Sequence, residues 1–110
     1  MSPSPNAEAN GTAIATANGN FMVQAATPDG HAVNAQGTYN PNTNAWNSIP
    51  AKIEYNDQAE LTGKHSFSGT VGPTSFKFTC DNGAIITGPV NPPVVPTMDV
   101  MGTVNWVLTM

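Results

Sequence analysis

The chain has 110 residues, of which only 9% are charged: seven acids against three lysines, a formal net charge of −4. A soluble domain ordinarily carries about 25% charge, so the deficit excludes nucleic-acid binding, which needs cations to neutralise phosphates, and coiled coils, which need charged flanks. No apolar run reaches the ~20 residues of a helical membrane span, and polarity comes instead from 13 Asn, 13 Thr, 6 Ser and 3 Gln, groups that hydrogen-bond without titrating.

Residues 1–10 offer no large apolar side chain beyond the first Met and read as a flexible tail. They lack the basic and apolar segments of a signal peptide, which leaves localisation open between cytoplasmic synthesis, with later release or virion association, and a mature segment given a start Met. Residues 11–110 suit a single domain. Within it the hydrophobic period is two. Phe21, Val23 and Ala25 alternate with Met22, Gln24 and Ala26. The turn Thr27-Pro28-Asp29-Gly30 follows, where Pro presets φ and Gly takes positive φ, and it leads into Val33, Ala35 and Tyr39.

Asn40 to Pro50 reads as a long Asn-rich loop carrying Trp46. Ala51, Ile53 and Tyr55 form the next alternating run, with a turn expected at Asn56-Asp57-Gln58. Five of the ten charges lie between Lys52 and Lys64, which predicts a hairpin at a solvated sheet edge. Gly72-Pro73-Thr74 and Asp81-Asn82-Gly83 bracket a strand through Phe76, Phe78 and Cys80. Pro89, Pro92, Pro93 and Pro96 rule out a central strand over 88–96, which becomes a crossing connection to the last strand, with Val100, Val104, Trp106 and Leu108 on one face. Gly37, Gly69 and Gly102 inside strand patterns mark bulges or close sheet contacts. The sum is an all-β domain, expected as an antiparallel β-sandwich of jelly-roll or Ig-like type, with about seven to nine short strands and no substantial helix.

The chemistry-bearing residues are few. Cys80 closes an apolar face beside Phe76 and Phe78 and reads as a buried structural thiol; being single, it forms no intrachain disulfide. His31 and His65 read as surface residues, and with one Cys they match no zinc spacing. Asn40, Asn42 and Asn44 recur at every second residue, but without carboxylates they make a poor calcium loop. No catalytic residue, metal or cofactor is expected.

The neutral segment holding Tyr39, Asn40, Asn42, Asn44, Trp46 and Asn47 has the inventory of a sugar site: amides for hydroxyl groups and a ring for the sugar's apolar face. The same Trp46 could instead fold inward and cap the core. The leading expectation is therefore a non-catalytic, lectin-like module binding a glycan. The alternative is a structural assembly subunit, such as a virion decoration or fibre protein, because an uncharged β surface opposes self-association weakly. A homo-oligomer is expected under either reading.

Overall fold

A computed structural model describes residues 7–28, 30–56 and 58–109. Eight strands follow in order: β1 (Ala7–Ala15), β2 (Asn20–Ala26), β3 (Ala32–Asn40), β4 (Trp46–Tyr55), β5 (Gly63–Val71), β6 (Ser75–Cys80), β7 (Ile85–Pro89) and β8 (Met98–Thr109). A single 3-10 turn, Gln58–Leu61, joins β4 to β5. All pairings are antiparallel.

The all-β expectation holds, but the strands close into a barrel, in the order β1-β2-β3-β8-β5-β6-β7-β4, rather than splitting into the two sheets of a sandwich. Closure comes from β1, which pairs with β2 on one side and β4 on the other. This strand begins at Ala7, so the last four residues of the expected tail are paired to β4, and Ala9 is fully buried. Residues 1–6 lie outside the described residues. The expected charged edge hairpin is also replaced. β4 pairs with β1 and β7, β5 with β8 and β6, and the segment between them crosses one end of the barrel, where Leu61 is buried as a plug.

The turns at 27–30, 72–74 and 81–83 form as expected. Gly30 and Gly83 take φ of 90° and 101°, and Gly72 N–H donates to Ser75 O at 2.9 Å. Asp29 and Asp57 lie outside the described residues. Strand β4 runs through Pro50 because the ladder to β1 shifts there: Gly11 faces Ala51 and Ala13 faces Ser48, leaving Ile49 and Pro50 exposed and unpaired to β1.

Glycine and aromatic residues share one pattern that makes the closed wall possible. Gly37, Gly69, Gly88 and Gly102 take inward-facing positions of their strands, and each is registered opposite an aromatic residue. Gly37 faces Phe21, Gly69 faces Phe78, Gly88 faces Phe76, and Gly102 lies between Tyr39 and Phe67. A Cβ on Gly69 or Gly102 would stand 1.8 Å from a neighbouring strand's carbonyl oxygen, that of Lys77 or Thr38. The wall therefore bends sharply at these points, with the neighbouring strand's backbone in the space a side chain would have taken; at Gly37 the Phe21 ring also comes within 3.0 Å of the Cβ position.

The rings pack as one cluster around Phe78, whose centroid lies 4.7 Å from Phe67, 5.0 Å from Phe76 and 5.2 Å from Phe21. Alanines at 9, 13, 15, 35 and 51 face the same interior, where bulkier side chains would collide with the rings. The barrel is thus filled by side chains rather than hollow.

Candidate functional site

The structure divides the Asn-rich segment by side-chain type. Tyr39 and Trp46 are buried, at 2% and 1% exposure, whereas Asn40, Asn42, Asn44 and Asn47 are exposed. Only residues 41–45 lie between strands, because β3 extends to Asn40 and β4 begins at Trp46. A chain of buried hydrogen bonds fixes this arrangement. Trp46 Nε1–H donates to the Tyr39 hydroxyl at 3.2 Å, that hydroxyl lies 2.6 Å from Thr43 Oγ1, and Thr43 Oγ1 donates to Asn44 O at 2.9 Å. With Thr43 donating onward, Tyr39 must donate to Thr43, so every proton in the chain has an acceptor. Trp46 also stacks 4.7 Å from Phe76. Of the two placements open to Trp46, the molecule adopts the core cap.

The same accounting covers the whole chain. All eight aromatic residues are buried, none above 5% exposure. No ring is presented to solvent as a stacking platform. What remains around the 41–45 loop is a hollow of about 300 Å³ bordered by Asn42, Asn44 and the apolar Val94 and Val95.

Cys80 and His65 are held in structural contacts, whereas His31 Nδ1 is buried with no hydrogen-bond partner among the described residues. Burial pushes the Cys80 thiol up to about 12, with the adjacent Asp81 charge adding to the shift and the Trp106 indole opposing it. The Trp106 indole N–H is itself buried with no hydrogen-bond partner among the described residues. A thiol at that value is protonated and inert near neutrality. His65 Nδ1 meets Asp81 Oδ1 at 2.9 Å and its Nε2 meets Thr62 O at 3.0 Å, leaving neither ring nitrogen for a hydroxyl nucleophile. Ser66 donates through both backbone N–H and Oγ to Asp81 Oδ2, at 3.2 and 3.1 Å. The backbone donor is the main reason the Asp81 carboxyl sits below its ordinary value, with the Ser66 hydroxyl and His65 adding to it against a smaller desolvation effect. These contacts tie β5 to the β6–β7 turn. Among the described residues, no three His, Cys, Asp or Glu side chains gather as a metal-binding group, and no helix is long and apolar enough to cross a membrane.

The outer surface is sharply divided by charge, which the sequence order conceals. On the described residues the charges are Glu8, Lys52, Glu54, Glu60, Lys64, Lys77, Asp81 and Asp99. Lys52 bridges Glu8 at 3.7 Å and Glu54 at 3.9 Å on the β1–β4 side. Strands β2 and β3 carry no charge, and β8 carries only Asp99, near its start. Across this neutral wall the register aligns outward residues in rows. One row runs Ile14, Met22, Gln36, Asn105; the next runs Thr12, Gln24, Asn34, Val107. Large apolar side chains stand exposed among the amides: Ile14, Met22, Met101 and Val107, with Met101 at 65%. Where Gly37 bends the wall, a hollow of about 510 Å³ opens outside it, lined mainly by Ile14, Phe21, Met22 and Gln36.

No known protein family, curated protein or solved structure matches the chain.

Proposed function

We propose that this protein is a non-catalytic assembly subunit that works by packing neutral β surfaces together. The observation that carries the reading is the segregation of charge: a wall of three adjacent strands, β2, β3 and β8, with one charge among them, exposes four large apolar side chains together with β1. Four of the six large apolar side chains exposed among the described residues lie here, where charge is sparse, and such a patch is the mark of an interaction surface. Closure of the barrel gives every strand two neighbours, so association by adding a strand to an open edge is unavailable and contact must be face to face. Sedimentation equilibrium over a range of concentrations tests this. Assembly predicts a mass rising to a whole-number multiple of the monomer, and a monomer at all concentrations up to about 1 mM, a Kd worth only ~4 kcal/mol, overturns it.

A glycan-binding reading keeps one supporting observation, the exposed amides of Asn42 and Asn44 around the small loop-end hollow. With every ring internal, recognition there would rest on hydrogen bonds alone. A glycan array tests it, with Asn42→Ala/Asn44→Ala removing any signal while leaving the melting curve unchanged.

A further inference from the structure

We infer that Asn18 is a site of spontaneous deamidation, singled out by the fold from the three Asn-Gly pairs of the chain, at 10–11, 18–19 and 82–83. The chemistry is intramolecular. The glycine backbone nitrogen attacks the preceding Asn Cγ: an N–Cγ bond forms, the Cγ–Nδ2 bond breaks, and the side-chain amide leaves as ammonia, taking the proton of the attacking nitrogen. Water then opens the succinimide at either carbonyl and leaves aspartate or isoaspartate. Glycine obstructs the attack least, having no Cβ. Solvent water is the only co-reactant, so the site is decided by which Asn can bring its Cγ onto the next nitrogen.

The structure separates the three. Asn82 is held at both atoms of its amide: Nδ2 donates to Glu60 O at 2.7 Å, and Oδ1 accepts from Ala84 N–H at 3.2 Å. Asn10 lies within β1, registered opposite Ala26 and Lys52, with Gly11 opposite Ala25 and Ala51, so strands on both sides fix its backbone. Asn18 lies in the turn between β1 and β2 and is exposed. Among the described residues its side chain makes no hydrogen bond. The backbone beside it is loosely held: Asn18 N–H donates to Thr16 Oγ1 and Gly19 N–H to Thr16 O, both at 3.3 Å, beyond the usual range for such bonds.

The fold cannot shed this labile pair by replacing its glycine. Gly19 is buried with φ of 85°, and a Cβ there would stand 2.5 Å from Asn42 Oδ1 and 2.8 Å from Tyr39 O. The same position decides what the reaction does to the protein. Gly19 O accepts the Tyr39 N–H at 2.8 Å, and the Tyr39 hydroxyl accepts from Trp46 Nε1. Isoaspartate routes the main chain through the former Asn18 side chain and inserts an extra backbone atom directly before Gly19, which pulls the Gly19 carbonyl away from Tyr39. Aspartate adds a negative charge and leaves the backbone as it was.

The test incubates the full, folded chain in warm, mildly basic buffer and follows each Asn-Gly peptide over time by mass spectrometry. Conversion at Asn18 should run at least about tenfold faster than at Asn10 or Asn82, which must first give up strand pairing or hydrogen bonds. In denaturant the three rates should draw together, because the fold and not the dipeptide sets their order. Asn18→Gln, whose longer side chain would have to close a less favourable six-membered ring, should keep the parent melting curve and lose the reaction at this position. The purified isoaspartyl product should melt below Asn18→Asp, which carries the same charge on an unaltered backbone. Equal or faster conversion at Asn10 or Asn82 in the folded protein, or an unreactive Asn18 under conditions where the denatured chain converts, overturns the assignment. An isoaspartyl product as stable as Asn18→Asp overturns the consequence drawn for Tyr39.

Discussion

Removing one oxygen atom, by Tyr39→Phe, should cost the fold much more than an exposed hydroxyl would. In the structure the Tyr39 hydroxyl accepts from Trp46 Nε1 at 3.2 Å and donates to Thr43 Oγ1 at 2.6 Å, and all three residues are at most 8% exposed. Phenylalanine leaves the buried indole N–H with no acceptor, a penalty of about 1–3 kcal/mol. For a domain of this size that lowers Tm by roughly 5–20 °C, at about 4–8 °C per kcal/mol. The clean assay is a double-mutant cycle by urea denaturation with Trp46→Phe as second site. Once the indole N–H is gone, Tyr39→Phe strands no donor, so its cost in that background should drop by about 1 kcal/mol or more. Equal costs in the two backgrounds, or a Tyr39→Phe protein as stable as wild type, would refute the hydrogen-bond chain as what holds Trp46 inward.

Three further outcomes follow from the same structure. Gly102→Ala should abolish folding, because its Cβ would fall 1.8 Å from Thr38 O, whereas Gly30→Ala, at φ 90° with open space around it, should cost only about 1–2 kcal/mol; far-ultraviolet circular dichroism of the two proteins separates them. The lowered Asp81 carboxyl stabilises the fold above its unfolded value of 3.8, and this contribution disappears as pH falls through the lower folded value. Acid denaturation of Asp81→Asn should accordingly be flatter than wild type through that window, and identical profiles would count against the Ser66–Asp81 contacts. Cys80, buried and pushed up to about 12, should resist a thiol reagent at about pH 8 in the native protein and react promptly in denaturant.

The parts of this fold legible in the sequence are those where large apolar residues alternate: β2, β3, β6, the second half of β4, and β8. β1 and β5 were obscured for a physical reason. Their inward positions are largely Ala9, Gly11, Ala13 and Ala15 in one, and His65, Phe67 and Gly69 in the other, because rings from across the interior already occupy the volume. β1 even turns Ile14 outward, inverting the pattern that period-two reasoning relies on. Sandwich and barrel share the same alternation, and the difference rests on the pairing of β1 with β4, between segments far apart in the chain. The signal that could have found the barrel was the set of inward glycines at 37, 69, 88 and 102, each opposite an aromatic residue. At the candidate site, composition identified the neutral segment but not its orientation. Thr43, which anchors Tyr39 and thereby Trp46, looked like one more loop hydroxyl. The neutral wall was invisible in linear order, since β8 joins β2 and β3 only on folding.

The glycine positions have a consequence for how this protein can change. At Gly37 the wall is thin: Phe21 borders the outer recess while its ring also contacts Phe67 and Phe78 inside. Shape outside and packing inside are therefore one variable. A conservative replacement of an interior ring, such as Phe21→Leu, would alter the floor of the outer recess without touching a surface residue. Evolution could retune the outer surface of this barrel from within, and a surface-only mutational scan would miss Phe21, which helps to set it.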